Sequence, residues 1–185
     1  MIEKFKRLDR KLVKKAHIFE FYEDKLQLPD GKIDYYDFLK HKGAAAVIPV
    51  LPDGKILLVS QFRNALDRVT YEIPAGGRNS IEEPFIDAAF RELEEETGYR
   101  TEELWHLISI RTAVAFCDEK IEVFVAENLI PSVQNLDEDE YIEIQAYTLS
   151  EIMQMIFDGK IEDSKTIAAI MSYHAFLTKK QNTIE

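Results

Sequence analysis

Cysteine is almost absent: Cys117 is the one thiol among 185 residues. A lone thiol cannot close an internal disulfide and has no second cysteine at ligand spacing, so a disulfide scaffold and a cysteine-built metal site are both excluded. Cys117 reads as a buried or half-buried packing residue. No apolar run approaches the roughly 18 residues that a membrane-spanning helix requires. No basic segment followed by an apolar one marks a secretory start, and these absences point to the cytoplasm. Positive charge is also scarce, with 23 Lys and Arg against 34 Asp and Glu and a formal charge of −11. Proteins that grip duplex nucleic acid do so by neutralising phosphates with Lys and Arg, so a large nucleic-acid footprint is excluded. A small phosphate ligand is still admissible if cations come with it. Internal repeats and low-complexity tracts are lacking as well.

What is present suffices for a packed domain: 46% of the residues are hydrophobic and 11% aromatic. Two strand-like runs, about Ala16 to Leu28 and Lys32 to Leu39, flank the turn signal Pro29-Asp30-Gly31 and predict a hairpin. Residues 1–42 therefore read as an N-terminal β element and 43–185 as the main domain. "AAAVIPVL" and "KILLVSQF" flank a second Pro-Asp-Gly and are more continuously apolar, as strands covered on both faces are. "ELWHLISIRTA" and "KIEVFVAENL" are further strands. Thr148 and Glu151 fit a capping box, with Gly159 placed to end that helix. A last helix is expected from about Ser164 to Lys179, its stripe made by Ile167, Ile170, Met171, His174 and Leu177. Strands, one central helix, more strands and terminal helices predict an α/β or α+β sandwich with a mixed sheet between helices.

The central helix carries the chemistry. Pro84 suits its first turn and Gly98 its left-handed exit, which predicts a helix over Pro84 to Thr97. At about 100° per residue, Ile86, Ala89, Phe90, Leu93 and Thr97 share the face expected to pack on the sheet. Glu92 and Glu96 then stand side by side on the adjoining arc, with Glu95 within reach. A surface helix ordinarily relieves a glutamate with Lys or Arg four residues on, and here Glu92 meets Glu96 instead. The acids also lie toward the helix C-terminus, where the backbone dipole disfavours anions. Clustered carboxylates of this kind suit hard divalent cations such as Mg²⁺ or Mn²⁺, which bridge to substrate phosphates.

Gly77, five residues, Glu83, seven residues, then Arg91-Glu92-Leu93-x-Glu95-Glu96-x-Gly98-Tyr99 resembles the Nudix box, GX5EX7REUXEEXGU, at every specified position, Tyr99 filling the last apolar slot. The resemblance implies a Nudix hydrolase: an α/β/α sandwich that cleaves a nucleoside diphosphate linked to another moiety by attack of water on phosphorus. It implies Glu92, Glu95 and Glu96 as metal ligands and Arg91 as the partner that ties the Glu83 loop to the helix. A backbone carbonyl before the box glycine is also implied as a ligand. That points to Gly76, while the extra residue in "PAGG" leaves Ala75 as the alternative.

Beyond the box, "LPDGK", "KHKGAAAVIPV", "VSQFR", "YEIPAGG", "FCDEKIEVFVAENL", "LDEDEYIEI" and "GKIEDSKTIAAI" follow the order of the ADP-ribose pyrophosphatase branch over nearly the whole chain. That resemblance implies metal-dependent hydrolysis of ADP-ribose to AMP and ribose 5-phosphate, and a homodimer whose exchanged N-terminal strands help build the adenine pocket. Arg63 in "QFR" is implied as a substrate-contacting arginine, a role that bidentate geometry favours. Glu119 in "CDEK" is implied as general base or extra metal ligand. Two departures bear on the substrate. Ala113-Val114-Ala115 replace the branch's "SPG", and Tyr35 and Tyr36 stand where some members offer arginines, with rings suited to stacking on a base. GDP-mannose is therefore an alternative to ADP-ribose, and a non-catalytic nucleotide sensor is the reading from another class.

Overall fold

The computed structural model describes residues 3–138 and 140–182. Its N-terminal part is a three-stranded antiparallel sheet of β1 (Lys6–Lys15), β2 (Phe19–Gln27) and β3 (Ile33–His41), in that order. The expected hairpin is β2–β3, joined through Gly31 at φ +85°, a value that a side chain disfavours. Strand β1 lies outside the expectation. Its sequence KRLDRKLVKK is dominated by charge, and irregularities between Arg7 and Asp9 and between Leu12 and Lys14 break the alternation that marks a strand. It is fastened by Arg10, whose Nε and Nη2 donate to both oxygens of the opposing Asp24 at 2.6 and 2.5 Å, while its guanidinium lies over the Phe38 ring.

Gly43 turns the chain into the main domain. β4 (Ala44–Pro49) is wholly buried, and its two faces serve two cores. Ala44, Ala46 and Ile48 face one, Ala45 and Val47 the other. β5 (Ile56–Arg63) does not continue the β4 sheet as a hairpin would, because the pairing between them stops at one bridge, Val50 to Ile56. It forms instead a hairpin with β6 (Arg68–Glu72). The short β7 (Ala75–Gly77) returns to pair antiparallel with β4, and the chain then enters α1 (Phe85–Thr97). After the two-residue β8 (Tyr99–Arg100) come β9 (Leu104–Arg111) and β10 (Lys120–Ala126). β10 pairs parallel with β4 and antiparallel with β9, completing a mixed sheet β7-β4-β10-β9. β11 (Ile130–Pro131) pairs with β8, and β12 (Ile142–Tyr147) joins the far edge of β5.

α2 (Leu149–Phe157) opens on the expected reciprocal capping box between Thr148 and Glu151, and Gly159 leaves it at φ +71°. α3 (Ser164–Asn182) follows, with Lys165, Thr166, Ala169, Ile170 and Tyr173 buried. The expected stripe is thus rotated: Met171 is exposed and Tyr173 takes its place, since the helix packs against Trp105 through Tyr173 and Phe176. α1 covers one face of the mixed sheet, where Ala88, Ala89 and Leu93 meet Ala45, Val47, Leu104 and Phe124. The other face packs with β5, α2 and α3. This is an α/β/α sandwich with a mixed sheet and an antiparallel N-terminal sheet attached to it. Among the described residues no helix is long and apolar enough to cross a membrane.

Candidate active site

α1 ends as expected at Gly98, in the left-handed conformation with its N–H bonded to the Glu94 carbonyl. Its inward face differs from the apolar stripe that periodicity suggests. Ile86 is exposed, whereas Glu92 and Glu96 are 8% and 2% accessible. Both carboxylates are turned toward β7. The Ala75 N–H donates to Glu96 Oε2 at 2.9 Å. A Cβ on Gly76 would overlap the Glu92 carboxylate, so only glycine lets the strand lie this close to the helix.

Burial pushes the Glu92 carboxyl up to about 7, with Glu95 and Glu140 adding to the effect and Arg91 opposing it. Burial raises Glu96 further, to about 8, reinforced by the charges of Glu92 and Glu140. A pair of buried carboxylates that hold protons near neutrality is a pair short of positive charge. Arg91 offsets part of the deficit. Its Nη1 donates to Glu92 Oε1 at 2.6 Å and to Glu95 Oε2 at 2.9 Å, and its Nη2 donates to the Gly77 carbonyl at 2.9 Å. The link to Glu83 is the longest, Nε to Oε1 at 3.5 Å. Glu83 also accepts from the Asn79 N–H. Arg91 therefore ties helix, strand and loop together, mainly through the Gly77 carbonyl.

The direction of the β7 peptide groups follows from its register. The Val47 N–H reaches the Pro74 carbonyl and the Arg78 N–H reaches the Gly43 carbonyl, so 74, 76 and 78 face β4. The intervening Ala75 and Gly77 face the helix, where the Ala75 N–H meets Glu96 and the Gly77 carbonyl meets Arg91. The oxygens on this side that could hold a cation are the carboxylates of Glu92, Glu95 and Glu96 and the Ala75 carbonyl, all of them hard donors. That chemistry fits Mg²⁺ or Mn²⁺. As the side chains stand, no three acidic, His or Cys groups among the described residues enclose a metal-sized point. Arg91 bridges Glu92 and Glu95 there.

Beside this cradle a cleft of about 340 Å³ is lined by Ile18, His41, Arg63, Gly76, Glu119 and Lys165, among others. The expected Arg63 is here, held by a residue that the sequence did not single out. Its Nε and Nη2 donate to Glu72 Oε1 and Oε2, both at 2.7 Å. Lys165 and Thr70 donate to the same carboxylate. Burial pushes Glu72 up, but Arg63, Lys165 and Thr70 together outweigh it and hold the carboxyl at about 2. Lys165 also reaches Asp163 at 3.0 Å, and Asp163 accepts from the Thr166 N–H at 2.9 Å in the first turn of α3. Glu119 lines the same cleft, accepting from the Thr112 hydroxyl at 2.7 Å.

Tyr35 and Tyr36 lie elsewhere. They are 57% and 40% exposed near the start of β3, and Tyr36 packs against Phe5. Tyr36 and His41 at the cleft are five strand steps apart, about 16 Å at roughly 3.3 Å per step. A single chain does not bring them to the acids. Val114 is 81% exposed on the loop leading to Glu119.

An acidic helix packed on a glycine strand, beside a cleft with paired cations, defines the class: a hydrolase of phosphate anhydrides built on an α/β/α sandwich. The NUDIX domain profile matches residues 40–170. The chain is 40% identical over 172 residues to the ADP-ribose pyrophosphatase of Bacillus subtilis (strain 168), spanning 89% of this chain and 92% of that protein. It is 38% identical to the methanol dehydrogenase activator of Bacillus methanolicus over the same length and shares. A crystal structure of an ADP compounds hydrolase superposes with a TM-score of 0.85 at 20% identity, covering 97% of each chain, which shows the shared fold. The chain belongs to the Nudix family and is a hydrolase of that family.

Proposed function

We propose that this chain hydrolyses the diphosphate of ADP-ribose to AMP and ribose 5-phosphate in the cytoplasm, with Mg²⁺ or Mn²⁺ bound at the acidic cradle. The observation that carries this reading is the burial of Glu92 and Glu96 against β7, a pair of carboxylates that needs a cation before both can ionise. Glu92, Glu95 and Glu96 would hold the metal, and Glu119 is the further candidate ligand. Of the two expected backbone oxygens, Gly76 and Ala75, the register favours Ala75, since the Gly76 peptide faces β4. Gly76 contributes the absence of a side chain. When bound, the cation supplies charge neutralisation at the diphosphate and acidifies water at neutral pH.

The chain's own groups do the rest. Arg63 has donors left over from its pairing with Glu72, and these meet phosphate oxygens with Lys165 beside them. Glu119, held by Thr112, takes the proton of the attacking water. Glu140, whose charge bears on both Glu92 and Glu96, is the other carboxylate to compare with Glu119 as base. Comparing Glu119→Gln with Glu140→Gln separates them, the true base being the one whose loss flattens the pH profile of turnover. Arg91 orients Glu92 and Glu95 against Gly77.

A homodimer with exchanged N-terminal strands completes the proposal. Phe5, Leu8, Leu12, Ile33, Tyr35 and Tyr36 expose apolar surface on the N-terminal sheet that a second copy would cover. In such a pair Tyr35 and Tyr36 come within reach of the other copy's cleft, where they stack on the base. A substrate panel with Mg²⁺ tests the reading: ADP-ribose should be turned over fastest. Strong turnover of GDP-mannose with little for ADP-ribose would assign the protein to other nucleoside diphosphate sugars. No turnover of any member would favour a nucleotide sensor.

A further inference from the structure

Glu119 lies on a loop between β9 and β10 that makes few packing contacts of its own. Of its residues, Val114 and Phe116 are exposed. Such a segment needs an external frame to hold a carboxylate at a fixed place, and the structure supplies one from the N-terminal sheet. β3 has a free edge, because β2 occupies its other side. Along that edge the Leu39 N–H donates to the Phe116 carbonyl at 2.7 Å, the Asp118 N–H donates to the Leu39 carbonyl at 3.2 Å, and Leu39 and Cys117 form a parallel bridge. The loop is in effect a short fourth strand of the N-terminal sheet.

The frame ends at His41. Its backbone N–H donates to Asp118 Oδ1 at 2.8 Å, fixing the residue just before Glu119. Its ring Nδ1 accepts from the Gly43 N–H at 2.9 Å and lies 3.4 Å from Glu119 Oε1. An Nδ1 that accepts carries no proton, so in the neutral ring the proton is on Nε2. The Glu119 carboxylate is thus held by the Thr112 hydroxyl and by the backbone of its loop, with no direct hydrogen bond from the ring. Gly43, at φ +89°, has no room for a side chain: a Cβ would lie 2.9 Å from Phe85 Cε1 and 3.0 Å from the Lys120 carbonyl. The turn from sheet to domain therefore admits only glycine. The same turn grips the loop before α1, since Arg78 donates to the Lys42 carbonyl and Lys42 Nζ donates to the Asn79 carbonyl.

We propose that His41 is a positioning residue: by locking the turn at Gly43 through Nδ1, it holds the edge of β3 against residues 116–118 and so fixes Glu119 in the cleft. This rests on the reading of Glu119 as a functional carboxylate. The N-terminal sheet is then part of the catalytic frame as well as an assembly surface, and any partner that shifts the sheet shifts Glu119.

The test uses the full chain with Mg²⁺ and the best substrate of the panel. His41→Ala should lower kcat about ten- to a hundredfold with KM little changed, the size of effect expected when a catalytic group is misplaced by about an ångström. His41→Asn, whose amide oxygen can take the place of Nδ1, should restore most of the loss. His41→Gln, whose amide reaches the place of Nε2, should not. Backbone hydrogen exchange reads the positioning apart from catalysis: Leu39 and Asp118 should lose protection in His41→Ala and regain it in His41→Asn. Wild-type kcat and unchanged exchange in His41→Ala overturn the proposal, and rescue by Gln in place of Asn overturns it in favour of a direct substrate contact. Glu119→Gln is run alongside. Unchanged turnover there refutes the role of Glu119 itself, whereas lowered turnover there with a wild-type His41→Ala refutes the positioning role alone.

Discussion

Gly76 lies so close to Glu92 that a single added methyl group would occupy the space of the carboxylate. The strand thereby closes one side of the acidic cradle, and Gly76→Ala should push Glu92 out of it. Overpacking a site of this kind costs about 1–3 kcal/mol of stability. The larger effect should be on the metal: calorimetric Mn²⁺ binding should weaken at least about tenfold, the shift that corresponds to 1.4 kcal/mol. Gly77→Ala is the control, because a Cβ there meets nothing.

The metal-free protein should lose stability as pH rises. Glu92 and Glu96 have folded-state values of about 7 and 8 against 4.5 for the free side chain, so the folded protein holds more protons than the unfolded one between these limits. Stability tied to these groups is complete below pH 4.5 and is lost as pH climbs through 8. Denaturant titrations with a chelator should show the fall. Saturating Mg²⁺ should remove it, with protons released on binding that calorimetry in two buffers can count.

Glu72 has the opposite sign. Its folded value of about 2 lies below 4.5, so its contribution is complete above pH 4.5 and is lost as pH falls through 2. Removing the carboxylate leaves Arg63 and Lys165 without their shared partner. Glu72→Ala should therefore destabilise by about 3–5 kcal/mol, the usual penalty for breaking a buried pair, and flatten the acid limb of the stability profile.

Arg91→Ala should separate activity from stability. The guanidinium is the common donor to Glu92, Glu95 and the Gly77 carbonyl, and Glu83 still holds Asn79 without it. Turnover should fall by about a hundredfold. The midpoint of thermal unfolding should move by only a few degrees, about what 1 kcal/mol produces in a chain of this length. Equal activity in the variant would remove the orienting role.

The site was legible in the sequence to the extent that helix geometry dictates spacing. Glu92, Glu95 and Glu96 could be placed on one arc of α1 because three- and four-residue steps are fixed, and Gly98 marked its end. The inward face differs at Ile86 because apolar periodicity assumes that buried means apolar, and here the Glu92 and Glu96 carboxylates are themselves buried. Glu72 escaped notice because its partners come from β5, nine residues back, and from α3, 93 residues on. Glu140 acts on Glu96 from 44 residues away in the chain. β1 was hidden by its lysines and arginines and by its two irregularities. What fixes it is the Arg10–Asp24 pair, a contact across the sheet that no period in the sequence records.

The most direct measurement is AMP release from ADP-ribose by wild-type protein and Glu96→Gln in the presence of Mg²⁺. Gln retains an amide oxygen to accept the Ala75 N–H, so the fold should survive, as circular dichroism and thermal unfolding can verify. A carboxylate in the cradle predicts that release falls by at least about a thousandfold, the scale of removing a principal electrostatic stabiliser of the transition state. Wild-type release from a folded Glu96→Gln protein would contradict it.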